Sequence, residues 1–254
     1  MKQIRSFTGG LIACLLALAM ISLALNLHAA TAKMGKAEVR KVVGAAKYSV
    51  DGGPWMPLKA NATLKPGTVI QTGADAIVDL SLNQGDAVVR ITPNSTMKIG
   101  NLSRIGSGGD ADTEAQLSVQ SGSILGSVKK LSKASHFDIK TPNGVAGIRG
   151  TDFAVTVELL PDGTFKVTFT SVTGELVVAA IVGPDVVTKV LGSTESWTVG
   201  EPVIVLDPAK IQALIDQMPI VEKEKLQPPP PAPPTPEFVS PTIGAGGTSS
   251  GGIE

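Results

Sequence analysis

The strongest constraint on this chain is a period of two. Ala76, Val78, Leu80 and Leu82 alternate with Ile77, Asp79 and Ser81, and Ala87, Val89 and Ile91 repeat the pattern after Asn83-Gln84-Gly85-Asp86. The alternation returns in Phe137 and Ile139, in Phe153, Val155 and Val157, and in Phe165, Val167 and Phe169. Successive side chains on a strand point to opposite faces, so each run predicts a strand with one buried and one wet face. Turn signals separate the runs: DGG at 51–53, KPG at 65–67, SGGD at 107–110, PDG at 161–163 and GPD at 183–185. Short strands at this spacing predict an antiparallel sandwich or barrel. Leu159 to Lys166 reads as a hairpin turned by Asp162-Gly163. The more apolar runs, Glu175 to Val182 and Asp185 to Leu191, read as strands buried on both faces.

Composition agrees. Hydrophobic residues make up 43% of the 254 residues but aromatics only 4%, so the core must be built from Val, Ile, Leu and Ala. One helix is predicted near the end of the folded part. Asp207 is its N-cap, Pro208 its first residue, and Ile211, Leu214, Ile215 and Met218 share a face.

The two ends differ from the middle. Lys2 and Arg5 precede an apolar run from Leu11 to Leu27, and Ala30-Thr31-Ala32 follows as a cleavage site, the order of a secretory signal peptide. An uncleaved anchor is the alternative, because the run approaches the length that spans a bilayer. Either way the chain is expected outside the cytoplasm, periplasmic or secreted, or held there by a single span. The one cysteine, Cys14, lies in this leader, so the mature chain has no disulfide or thiol nucleophile. Residues 227–254 are rich in Pro and Gly and are expected to be disordered. The expected organisation is a leader over 1–32, a β-domain over 33–206, a helical segment over 207–226 and the tail.

Charge excludes one class of partner. The 22 basic and 22 acidic residues balance, and losing the leader's two basic residues leaves −2. Nothing there attracts a phosphate backbone, so no nucleic-acid partner is expected. Catalytic chemistry is also poorly provided for. Past the leader the single histidine is His136, and no G-x-S-x-G, HExxH or P-loop occurs. Asp110, Asp112 and Glu114, at alternate positions, are a weak calcium candidate without the rest of an EF-hand loop. No cofactor is expected. A hydrolase built on unmarked carboxylates such as Asp110, Asp112, Asp138 and Asp152 stays an open alternative.

The most distinctive stretch is HFDIKTPNGVAGIRGTDFAV, His136 to Val155. Pro142 ends a strand, Gly144, Gly147 and Gly150 shape a connection, and Phe153 opens the next strand. A phosphate cradle would need a helix after the glycines, and a strand pattern follows instead. Arg149 is expected to pin this connection, through loop carbonyls or through Asp138 or Asp152, with a ligand-binding role as the alternative.

These residues resemble the FecR domain family. Thr141, Pro142, Gly147, Arg149, Gly150, Thr151 and Phe153 carry the likeness. Upstream, Leu64 to Ile99 resembles the family's G-D-x-I-x-T-G segment, a strand, a turn and a P-N-S segment. Downstream, TSVTGELVV and GSTESWTVG fit its later strands. The resemblance implies a periplasmic, jelly-roll-like β-sandwich, and family members relay the state of an outer-membrane receptor to a cytoplasmic sigma factor. Only a short segment precedes the apolar run, and a helix and tail rather than a second folded domain are expected after Asp207, so direct sigma regulation is not the expected role. The expected role is therefore a non-enzymatic exported module that binds or scaffolds an envelope protein or glycan. A membrane-tethered signalling regulator is the alternative.

Overall fold

The computed structural model describes residues 33–106, 111–130 and 132–219. The predicted leader, Asp110, the tail and the end of the 207–226 segment lie outside the described residues. Eighteen strands and one helix are described. The strands are β1 (Lys33–Met34), β2 (Ala37–Val43), β3 (Ala46–Val50), β4 (Met56–Pro57), β5 (Thr63–Leu64) and β6 (Thr68–Thr72). Next come β7 (Ile77–Leu82), β8 (Ala87–Ile91), β9 (Thr96–Ile105), β10 (Asp112–Val128), β11 (His136–Thr141) and β12 (Gly144–Ile148). The last six are β13 (Asp152–Leu159), β14 (Phe165–Thr173), β15 (Leu176–Val182), β16 (Asp185–Leu191), β17 (Glu195–Thr198) and β18 (Ile204–Val205), and α1 spans Pro208–Gln217.

The strands form a β-sandwich of two open sheets. Sheet A runs β4-β3-β6-β9-β10-β11-β12-β15-β16, with β1 beside the far end of β9. Sheet B runs β5-β2-β7-β8-β10-β13-β14-β17-β18. Neither sheet closes on itself among the described residues. All pairings are antiparallel except β10 with β11.

That exception follows from β10, which belongs to both sheets. Its first part, to Ser121, pairs with β9, and from Gly122 onward it pairs with β13 and β8. The second half of β10 thus carries the chain across the sandwich, and β11 returns parallel to the first half. Gly122 makes the turn of direction at φ +81°, a left-handed conformation that only glycine adopts freely. A Cβ there would sit 2.2 Å from the Ser95 Oγ and 2.6 Å from its Cα. Ser95 approaches this closely because it ties the bend: the Ser123 N–H donates to its Oγ (3.0 Å). Thr92 Oγ1 donates to the Ser123 carbonyl (2.9 Å), and Thr72 Oγ1 accepts from the Ser95 N–H (2.9 Å) while donating to the Thr92 carbonyl (2.7 Å).

The alternating runs fill the space between the sheets. Val78, Leu80, Leu82, Val89, Ile91, Phe137, Ile139, Phe153, Val155, Val167, Phe169 and Trp197 form one core cluster. The Phe137 and Phe153 rings meet across it at 6.2 Å between centroids. The PDG hairpin joins β13 to β14, with the Leu160 N–H on the Thr164 carbonyl (2.8 Å) and Gly163 at positive φ.

Two expectations need correction. The face of β7 predicted to be wet is covered, and Asp79 and Ser81 are buried. The cause is Arg90, opposite Asp79 on β8, which closes over it with two hydrogen bonds (2.6 and 2.7 Å). Conversely, β15 and β16 are not buried on both faces. Val177, Ile181, Val186 and Val190 are exposed, because β16 is the edge of sheet A and nothing described packs on its outer side. On the core-side face of this edge stands Lys189, opposite buried Val178.

The predicted helix is present. Asp207 is its N-cap and accepts from the Lys210 N–H (3.0 Å), and Pro208 occupies the first turn. Its apolar residues Ile211, Leu214 and Ile215, with buried Met218, cover Leu125, Ala154 and Val172 on the outer face of sheet B. Arg90 donates to the Gln217 carbonyl at the helix end (2.7 Å), where a cation and a donor are both favourable. No helix of the described residues is long and apolar enough to cross a membrane.

Gly122→Ala should lower stability by about 3 kcal/mol or more, since positive φ and the Ser95 clash add; urea unfolding measures it, and a change under 1 kcal/mol would refute the hinge account. The Asp207 carboxyl is held below the usual aspartate range, first by the Lys210 N–H. A depressed folded-state value stabilises above the ordinary aspartate pKa, and that stabilisation fades as pH falls through the lowered value. Protection factors in α1, corrected for the intrinsic exchange rate at each pH, should therefore fall on acidification before those in β10 do, and Asp207→Asn should blunt that pH dependence.

Candidate functional site

The stretch predicted as a glycine-shaped connection is itself a strand. Gly144 to Ile148 forms β12, paired with β11 on one side and β15 on the other. Thr141 and Gly144 face each other across a two-residue turn of Pro142 and Asn143, and Thr141 Oγ1 donates to the Gly144 carbonyl (3.0 Å). Asn143 braces the turn, donating to the Phe165 carbonyl (3.0 Å). Gly147 lies in mid-strand opposite Asp138 and Val177.

The chain then leaves sheet A for sheet B through Gly150 and Thr151. Gly150 has φ +65°. Thr151, 1% exposed, is the pin. Its Oγ1 donates to the Glu175 carbonyl (2.8 Å), accepts from the Glu175 N–H (3.3 Å) and lies 3.2 Å from the Arg149 carbonyl. Phe153 follows as a fully buried core residue.

Arg149 does not do what the sequence suggested. It is exposed, and its side chain has no hydrogen bond or ion pair among the described residues. Asp152 is engaged elsewhere, accepting from Thr173 Oγ1 (2.8 Å). The short hydroxyl of Thr151 reaches the backbone groups directly, so the pinning needs no guanidinium. Arg149 instead lines an open groove of about 320 Å3 with Lys133, His136, Asp138, Glu175 and Val177 on the outer face of sheet A.

The carboxylates of the weak calcium candidate divide. Asp112 and Glu114 lie on β10; Asp112 accepts from the Ser132 hydroxyl (2.6 Å) and Glu114 is exposed, with Ser103 Oγ at 3.5 Å. No group of three potential metal-ligating side chains occurs among the described residues.

Sequence reasoning missed two polar clusters. In one, Arg90 spans Asp79 and the helix end. In the other, Asp86 from the NQGD turn pairs with Arg104 and accepts from Thr113 Oγ1 (2.8 Å), while its carbonyl takes the Lys129 N–H (3.0 Å). Asn83, buried beside it, donates to the Ser103 and Glu114 carbonyls (3.2 Å each). A signal existed for the first: Asp79 and Arg90 lie at equal distances from the turn between their strands, so a tight hairpin sets them opposite each other.

Residues 68–172 match the model of the FecR protein family. The match identifies a FecR domain over those residues. No curated protein sequence matches the chain. Two crystal structures of a chain described as a candidate anti-sigma factor from Parabacteroides distasonis ATCC 8503, at 1.65 and 2.50 Å, are similar to it at 15% identity and a TM-score of 0.45. The similarity covers 59% of this chain and 65% and 64% of those chains, somewhat under two thirds of their length.

Thr151→Ala removes the only side chain that bonds the Glu175 backbone among the described residues and should cost about 1–3 kcal/mol. Arg149→Ala should stay within about 0.5 kcal/mol of the parent. Paired thermal melts test this, and the reverse ranking would restore the arginine clamp.

Proposed function

We propose that this chain is a non-enzymatic, exported FecR-type module that binds a component of the cell envelope through the outer face of sheet A. The observation that carries the reading is the division of labour within the signature. Thr141, Gly150, Thr151 and Phe153 are spent on turns, ties and core, whereas Arg149 is left facing solvent in an open groove. An unpaired guanidinium with five donors suits a carboxylate or another planar acceptor on a partner. Beside it, exposed Val145 and Val177 offer apolar contact. Such a surface fits recognition of a partner.

The apolar run from Leu11 to Leu27 supports export. Retention of that run would turn the same module into a tethered signalling regulator, and N-terminal sequencing of the exported protein separates the two. For the binding face, Arg149→Glu in the full chain should fold normally yet lose the envelope component that the parent protein crosslinks in its own host. Recovery of the same component by both proteins, or of none by the parent, would refute the role of this face.

A further inference from the structure

A second groove, of about 730 Å3, lies at the β4 end of sheet A. That volume is in the range of small-ligand sites, roughly 300–1,000 Å3. The register of four strands builds it. Pro57 on β4, Lys47 on β3, Gln71 on β6 and Thr96 on β9 stand in one row across the sheet. Trp55, just before β4, is 45% exposed, and Lys47 Nζ lies over its ring at 4.9 Å from the centroid. A cation over one face orients the indole. Asn94 borders the groove from the turn before β9, held at φ +53°.

The polar groups here sort into two sets. Thr72 and Ser95 already bond the backbone at the β10 bend, so this part of the groove is fixed by the same ties that hold the hinge. Gln71, Asn94 and Thr96 make no side-chain hydrogen bond among the described residues. Two amides and a hydroxyl are thus open, beside a half-exposed indole and exposed Met56. Each amide presents a carbonyl that accepts and an NH2 that donates.

We propose that this groove binds an oligosaccharide. A pyranose ring offers an apolar C–H face to Trp55, and its hydroxyls both donate and accept, which answers both ends of the Gln71 and Asn94 amides. A proline-rich peptide also seats on aromatic grooves, but proline has no N–H and leaves the amide oxygens unanswered. The site is separate from the Arg149 groove: β9, β10 and β11 lie between β6 and β12, a separation of roughly 19 Å at the usual strand spacing.

The test is calorimetric titration of the full chain with cellotetraose, the N-acetylglucosamine tetramer and the galacturonate tetramer, with decaproline as the peptide control. At least one saccharide should bind, and Trp55→Ala should weaken it at least tenfold while Trp55→Phe retains part of the affinity. Gln71→Ala should weaken it several-fold, and Arg149→Glu should leave it unchanged, so this site and the envelope-binding face stand or fall separately. The chain has two tryptophans and Trp197 is buried, so the bound sugar should also shield Trp55 fluorescence from iodide. Binding of none of the three saccharides, binding of decaproline alone, or equal affinity in folded Trp55→Ala would overturn the proposal.

Discussion

Everything in this fold depends on one strand changing sheets. β10 bends at Gly122, and the bend holds because Ser95 occupies the space a side chain would need and bonds the next residue's N–H. The two sheets are therefore joined covalently through the middle of a strand as well as through their packed faces. The relative placement of the sheets, the parallel return of β11 and the site of the Trp55 groove all follow from that bend. The ties involve Thr72, Thr92 and Ser95, residues within the segments that resembled the family motif, which gives those polar positions a mechanical meaning.

The fold was largely legible because burial on one face writes itself into sequence as alternation. The strands around Val78, Val89, Phe137, Phe153 and Phe169, the Asp162-Gly163 hairpin and the helix after Asp207 all carried local signals. What local patterns do not contain is the identity of a strand's neighbours. β15 and β16 look by composition like strands buried on both faces, yet β16 is the sheet's edge and the outer valines of both meet water. Asp79 looks like a wet-face residue, yet its partner and the helix cover it. The parallel pairing of β10 with β11 was equally out of reach, since it requires knowing that a 17-residue strand is divided between two sheets.

The signature stretch shows the same limit at the level of side chains. Arginine has the larger hydrogen-bonding capacity, so it drew the structural role in the sequence. Geometry gives that role to threonine, whose short branched side chain reaches both backbone groups of Glu175 from a fully buried position. A motif can thus mix residues fixed by folding with one that folding leaves unused, and exposure separates the two kinds. Its upstream counterpart behaves alike: Thr72 and Ser95 are consumed by the bend, while Gln71 and Asn94 beside them stay open.

The edge strand β16 bears on how the molecule behaves in a crowded compartment. Its exposed valines, and an outer edge with no strand partner among the described residues, form the kind of template onto which another chain's strand adds. Lys189 works against that. It lies on the core-side face of β16 yet is itself exposed at the rim of the sandwich, so a strand arriving there would have to accommodate its ammonium. The edge is thus guarded by charge at its rim, with Asp185 and Lys189 both exposed on β16 and the apolar outer face left intact.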